Sequence, residues 1–115
     1  IPEELSIEDR QSIEEILMTF NLITSKIHEA LPETEIVIIS PKPSVARWKL
    51  ADQYLELNKK LKKFTKGEKY MKYADLWKPM LNKDKEPMDD IFIKDNLHMN
   101  EKGYAIWAKT IEKYL

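Results

Sequence analysis

An α/β layered fold built on a parallel sheet is what this sequence predicts, and three observations carry the prediction. Ile36-Val37-Ile38-Ile39 is a continuous β-branched run rather than an alternating one, and such a strand belongs in a parallel sheet covered by helices on both faces. Stretches with apolar residues at three- and four-residue spacing lie before and after it, the pattern of helices that bury one side. The segments follow one another as α-β-α-β-loop-α, the order of parallel strands joined by crossover helices.

The first helix is expected over about residues 7–31, with Ile13, Ile16, Leu17, Phe20, Ile23, Ile27 and Leu31 as its buried stripe. Ser6 or a neighbour caps its start, with Asp9 three residues on as partner, and Pro32 ends it. His28 lies beside the stripe and reads as a surface or boundary residue. A strand over residues 35–40 is stopped by Pro41 and Pro43, neither of which can donate to a ladder. Ser44 then caps a second helix over about residues 45–64, whose stripe includes Trp48, Leu50, Ala51, Tyr54, Leu57, Leu61 and Phe64. Gly67 is placed to close it with a left-handed turn. A weaker strand follows at about 72–76, and residues 77–99 read mostly as loop. Asn100 is a good N-cap for a final helix over about 101–114. Trp48, Trp77 and Trp107 fall on apolar positions, which points to core packing rather than to stacking on a substrate.

Composition removes several function classes. At 115 residues the chain is the size of one modest domain, and its net charge of -1 gives no global pull toward nucleic acid or acidic membranes. Lysines 59, 60, 62, 63, 66, 69 and 72 cluster, which reads as a solvated helix face running into a turn. Arg10 and Arg47 are the only arginines, which disfavours bidentate phosphate recognition. With no cysteine there is no disulfide framework, thiolate nucleophile or Cys-ligated zinc. No apolar run approaches the ~20 residues of a membrane span. Gly67 and Gly103, the two glycines, are too far apart for a Gly-rich phosphate loop, and no Gly-x-Ser-x-Gly elbow occurs.

The chemistry concentrates in Lys94-Asp95-Asn96-Leu97-His98-Met99-Asn100. A carboxylate three residues before an imidazole, on a loop, can turn back and accept a hydrogen bond of about 2.7–3.0 Å from one ring nitrogen. The other nitrogen is then an acceptor, ready to take a proton from a nucleophile. Asp95 and His98 are therefore the candidate catalytic residues. A metal site from Asp89, Asp90, Asp95 and His98 is a competing reading. One imidazole with carboxylates is a poor zinc set, and calcium wants more oxygen ligands and usually a loop glycine. No metal or cofactor is expected. In an open parallel sheet ligands bind outside the carboxyl ends of the strands, and both the 41–44 turn and the loop of Asp95 and His98 leave that rim.

The block Asp95-Asn96-Leu97-His98-Met99-Asn100-Glu101-Lys102-Gly103-Tyr104 resembles the closing Asp-x-x-His segment of SGNH (GDSL-type) hydrolases, where a Gly-Tyr helix likewise follows. Ile38-Ile39-Ser40-Pro41-Lys42-Pro43-Ser44 with Ala46-Arg47-Trp48 resembles the strand-turn-helix of one bacterial branch of that family. The resemblance runs from Ile13 onward. It implies a flavodoxin-like three-layer sandwich with a parallel sheet, to which this chain contributes two strands and about three helices. It also implies a Ser-His-Asp site that cleaves acetyl or short acyl esters of a lipid, sugar or small molecule, with His98 as general base and Asp95 as its orienting carboxylate. The family's Gly-Asp-Ser nucleophile block, its oxyanion glycine and its Gly-x-Asn-Asp block have no counterpart here. Ser6, Ser12, Ser25, Ser40 and Ser44 lack the elbow context, and Ser44 is better explained as a cap.

Residues 1–115 are accordingly expected to be the C-terminal half of a single SGNH domain. A two-stranded parallel sheet would leave one long hydrophobic edge open. About 80–100 upstream residues would supply the remaining strands at ordinary domain sizes, and pairing of the open edge with a second copy, as a homo-oligomer, is the other way to close it. A catalytically inactive SGNH-like fold acting as a binding module is the alternative function.

Overall fold

The structure, a computed structural model, describes residues 12–115. Helix α1 spans Ile13–Ala30. Ser12 stands in extended backbone, its hydroxyl accepting from Glu15 N–H at 3.1 Å while the Glu15 carboxylate accepts from Ser12 N–H at 3.3 Å. This reciprocal capping box starts the helix at Ile13 rather than at residue 7; the expected Ser6–Asp9 cap lies outside the described residues. Ile13, Ile16, Leu17 and Phe20 pack against the core as expected. The buried line then continues through Thr24, whose hydroxyl donates to Phe20 O at 2.8 Å. Ile23 and Leu31, expected in the stripe, are 50% and 54% exposed, because Ile23 sits about 100° round the helix from Thr24.

Strands β1 (Ile36–Ile39) and β2 (Met71–Ala74) form a two-stranded parallel sheet, with Ile36 opposite Met71 and Ile39 opposite Ala74. The crossover is one 3-10 turn, Trp48–Leu50, followed by α2, Ala51–Lys66. The second helix therefore starts at Ala51 rather than at residue 45. Ser44 caps the turn before it, its hydroxyl accepting from Arg47 N–H at 3.2 Å. Gly67 is right-handed (φ -73°, ψ -13°), which corrects the expected left-handed turn. The chain leaves α2 through tightened i→i+3 bonds, Gly67 N–H to Phe64 O and Glu68 N–H to Thr65 O, so no reversal of hand is needed.

Alternate residues of β1 feed two cores. Ile36 and Ile38 meet Leu57, Leu61 and Met71 together with the α1 stripe. Ile39 joins Leu76, Met80, Ile91 and Phe92 under Ile106 and Trp107 of α3, Glu101–Glu112. Helices α1 and α2 thus cover one face and α3 the other, which is why all four strand residues are apolar. The second edge of β1 has no strand partner among the described residues.

Residues 77–99 hold more structure than a loop. Lys78–Met80 is a 3-10 turn, and Leu81 bridges Pro87 around a turn in which the Asn82 side chain accepts from Asp84 and Glu86 N–H. Phe92 then bridges Met99. Fully buried Met80 and Ile91 anchor these two pinches in the second core. Trp77 is buried and stacks on Trp48 at 5.7 Å, and Trp107 packs on the second core, the role expected of the tryptophans. Half-buried His28 stacks on Tyr70, ring centroids 3.7 Å apart. Among the described residues no helix is long and apolar enough to cross a membrane.

Candidate active site

The chain between β2 and α3 ends in a narrow tongue. Asn100 N–H donates to Ile91 O at 3.0 Å and Ile93 N–H to His98 O at 2.9 Å, bringing residues 91–93 beside 98–100. Asn96 reverses the chain at the tip, donating its N–H to Ile93 O at 2.9 Å with φ 57°. Asparagine is one of the few residues that enters this left-handed region at small cost. At the base, Asn100 Oδ1 accepts from Gly103 N–H at 3.0 Å to cap α3, while its Nδ2 donates to Asp90 O at 2.9 Å. The cap of the helix and the foot of the tongue are one side chain.

Within the tip Asp95 satisfies three donors. Its Oδ1 accepts from Leu97 N–H and His98 N–H, both at 2.9 Å, an Asx turn. Its Oδ2 accepts from His98 Nδ1 at 2.5 Å, shorter than the spacing alone leads one to expect. The imidazole, then the two backbone N–H groups, bring the Asp95 carboxyl down to about 2, so it is ionised at neutral pH. With Nδ1–H committed to the carboxylate, a neutral ring carries its lone pair on Nε2. The His98 side chain is 70% exposed and that of Asp95 39%, so the pair is open to solvent.

The two loops expected to share a rim do meet. Ala46 N–H, in the turn after β1, donates to Asn96 O at 3.0 Å. Below them Ser40 locks the strand ends, its N–H donating to Ala74 O at 2.9 Å and its hydroxyl accepting from Leu76 N–H at 2.8 Å. Ser40 and Ser44 are only 3% and 5% exposed and are occupied with these structural bonds. Ser12 caps α1, Ser25 bonds Asn21 on the same helix, and Ser6 lies outside the described residues. No described serine is bonded to His98. The competing metal set does not converge. Asp90 pairs with the Lys102 ammonium, Asp95 is taken by His98, and among the described residues no three His, Asp or Glu side chains are placed to share an ion. In the lysine cluster Lys60 reaches Glu14 and Glu56 and Lys72 reaches Glu35, exposed pairs worth little to stability.

The Asp95 shift has a measurable sign. A carboxyl lowered from 3.8 to about 2 contributes stability that is fully present above about pH 4 and lost as pH falls through about 2. An NMR titration of the Asp95 carboxyl carbon is expected to give a midpoint near 2, rising toward 3.8 in His98→Ala. A midpoint near 4 in the parent would mean that the pair is open in solution.

No family model matches the chain, and no curated protein matches it by sequence. Solved structures do match. A chain described as "a putative platelet activating factor from Streptococcus pneumonia" superposes with a TM-score of 0.78 at 16% identity, over 89% of this chain and 51% of its own. The esterase domain of the ORF1 protein from the zebrafish ZfL2-1 retrotransposon superposes with a TM-score of 0.75 at 20% identity, over 96% of this chain and 64% of its own. The chain therefore shares the α/β fold of these two structures. The chain spans about half the length of the first of these and under two thirds of the second. At such identities the likeness establishes the fold, and the α/β expectation stands with it.

Proposed function

We propose that this chain forms part of an ester hydrolase of the Ser-His-Asp type, with His98 as general base and Asp95 as the carboxylate that orients it. The observation that supports the reading best is the Asp95–His98 hydrogen bond on an exposed tongue at the carboxyl-end rim of a parallel sheet. In this scheme His98 Nε2 takes the proton of a serine hydroxyl as its oxygen attacks the ester carbonyl. The imidazolium is stabilised by ionised Asp95 and returns the proton to the departing alkoxide; water then repeats the sequence on the acyl-enzyme. The substrates are acetyl or short acyl esters of a lipid, sugar or small molecule. The serine and the oxyanion donors come from polypeptide outside residues 1–115, and a strand of that polypeptide covers the open edge of β1.

The test uses the polypeptide that contains this chain and the nucleophile. It is expected to turn over 4-nitrophenyl acetate and to be labelled by a fluorophosphonate on a serine outside residues 1–115, located by peptide mass spectrometry. The 115-residue chain alone is expected to show no turnover above its His98→Ala variant, since oxyanion donors by themselves are worth about 10²–10³ in rate. Label on one of the chain's own five serines, or turnover by the chain alone, overturns the assignment.

A further inference from the structure

A cleft of about 470 Å³ lies between α2, the end of β2 and the chain after α3, and none of residues 91–100 lines it. From α2 it takes Leu55, Asn58, Lys59 and Lys62, the i, i+3, i+4 and i+7 positions that share one side of a helix. Tyr73 of β2, Trp77 and Tyr114 add three aromatic rings. Trp77 is held by its contacts with Trp48 and Tyr54, ring centroids 5.7 and 6.1 Å away, so that wall is preformed. The volume is that of an ordinary small-molecule site, and ring and aliphatic surfaces are what such sites use to hold the body of a ligand.

Asn58 is the residue that packing alone does not explain. It is only 7% exposed, and neither its side-chain oxygen nor its side-chain nitrogen has a hydrogen-bond partner among the described residues. An orphaned buried amide is costly, and an apolar side chain of similar volume would avoid the cost. Because Asn58 stands in the cleft wall, a group that enters the cleft is the partner within its reach. At the rim Lys59, Lys62 and Lys78 are exposed and belong to no ion pair among the described residues. The one carboxylate in the lining, Asp75, already accepts from Trp77 N–H at 2.9 Å. Lysines alone would read as a solvated face. Here three of them surround an unpaired amide and an aromatic wall, which leaves the cleft positively charged.

We infer that this cleft binds a small organic anion: a phosphate or carboxylate meets the lysine rim, an apolar ring lies against Trp77, and an amide-like donor and acceptor edge pairs with Asn58. Ammonium groups are compact point charges that accept either anion. The cleft shares no lining residue with the Asp95–His98 pair, so the inference stands whether or not the chain cleaves esters.

The test measures binding to the complete polypeptide by calorimetry. The probes are 4-carbamoylphenyl phosphate and 4-carbamoylbenzoate, compared with phenyl phosphate and benzoate, which lack the amide, and with inorganic phosphate. At least one carbamoyl probe is expected to bind saturably, and the tighter of the two separates a phosphate from a carboxylate source. Its amide-free analogue should bind about tenfold more weakly, and inorganic phosphate more weakly still. Asn58→Leu should erase the difference between each probe and its analogue, with a thermal midpoint equal to the parent's or higher. Lys59→Met combined with Lys62→Met should weaken every probe about tenfold, whereas Lys63→Met, exposed on α2 but outside the cleft, should change none. No saturable binding of either carbamoyl probe overturns the site. So does binding unchanged by loss of Lys59 and Lys62, an amide preference that survives Asn58→Leu, or inorganic phosphate binding as tightly as the ring-bearing probes. Should Asn58→Leu fail to fold, the lysine variants decide by themselves, because both side chains are exposed.

Discussion

His98→Ala in the complete enzyme is expected to lower ester hydrolysis by about 10⁴-fold or more, the scale of losses in triad enzymes, with only a small drop in thermal midpoint from loss of the exposed Asp95–His98 bond. The imidazole is mostly exposed, and its one described side-chain bond is to Asp95. The bonds that shape the tongue at this position, Ile93 N–H to His98 O and His98 N–H to Asp95 Oδ1, use backbone atoms of residue 98 and survive truncation. Loss of rate without loss of fold is therefore the signature of a proton-transferring side chain. The readouts are kcat on 4-nitrophenyl acetate and a melting curve for the same preparation. Activity within tenfold of the parent would mean that His98 is not the base.

Gly103→Ala is expected to destabilise the protein by about 1–3 kcal/mol or more, the usual cost of forcing atoms into a filled site. It should do so although alanine is the better helix former by ~1 kcal/mol. A Cβ on Gly103 would stand 2.5 Å from Ile91 O, 2.9 Å from Met99 Cβ and 3.0 Å from Met99 Cγ. None of these is the loose end of a flexible side chain. Ile91 O accepts from Asn100 N–H, and Ile91 itself is fully buried in the second core. The strain would pass straight to the foot of the tongue, so kcat should fall with stability. Gly67 is the control: its Cβ would meet only Phe64 O, at an ordinary 3.6 Å, in a backbone conformation alanine adopts freely. Gly67→Ala should be neutral or stabilising by up to about 1 kcal/mol. Urea midpoints of the two variants measure the contrast, and a Gly103→Ala protein as stable as the parent would refute the close-packing argument.

Much of the fold and half of the site were legible because their causes are local. The β-branched run at residues 36–39 could bury both faces only in a covered parallel sheet, and it does. Asn100 before an apolar-periodic run is a cap by its own side-chain chemistry, and the three-residue spacing of Asp95 and His98 suffices to close their hydrogen bond. The departures arose where a local signal was ambiguous. Ser44 caps a turn rather than the helix itself, which starts at Ala51. Gly67 could end a helix in either hand, and a tightened right-handed turn sufficed.

The sequence by itself determined the layered α/β class, the parallel pairing, the final helix and the Asp95–His98 pair, since each follows from side-chain pattern or from reach along a few residues. Only the tertiary structure decided which residues hold that pair in place. Ala46 meets Asn96 across 50 residues of chain, the Ser40 hydroxyl meets Leu76 N–H across 36, and Gly103 is glycine because the Ile91 carbonyl passes where a Cβ would be. These contacts depend on distances between elements far apart in sequence, which are set by how two cores pack on opposite faces of one sheet and are written in no local pattern.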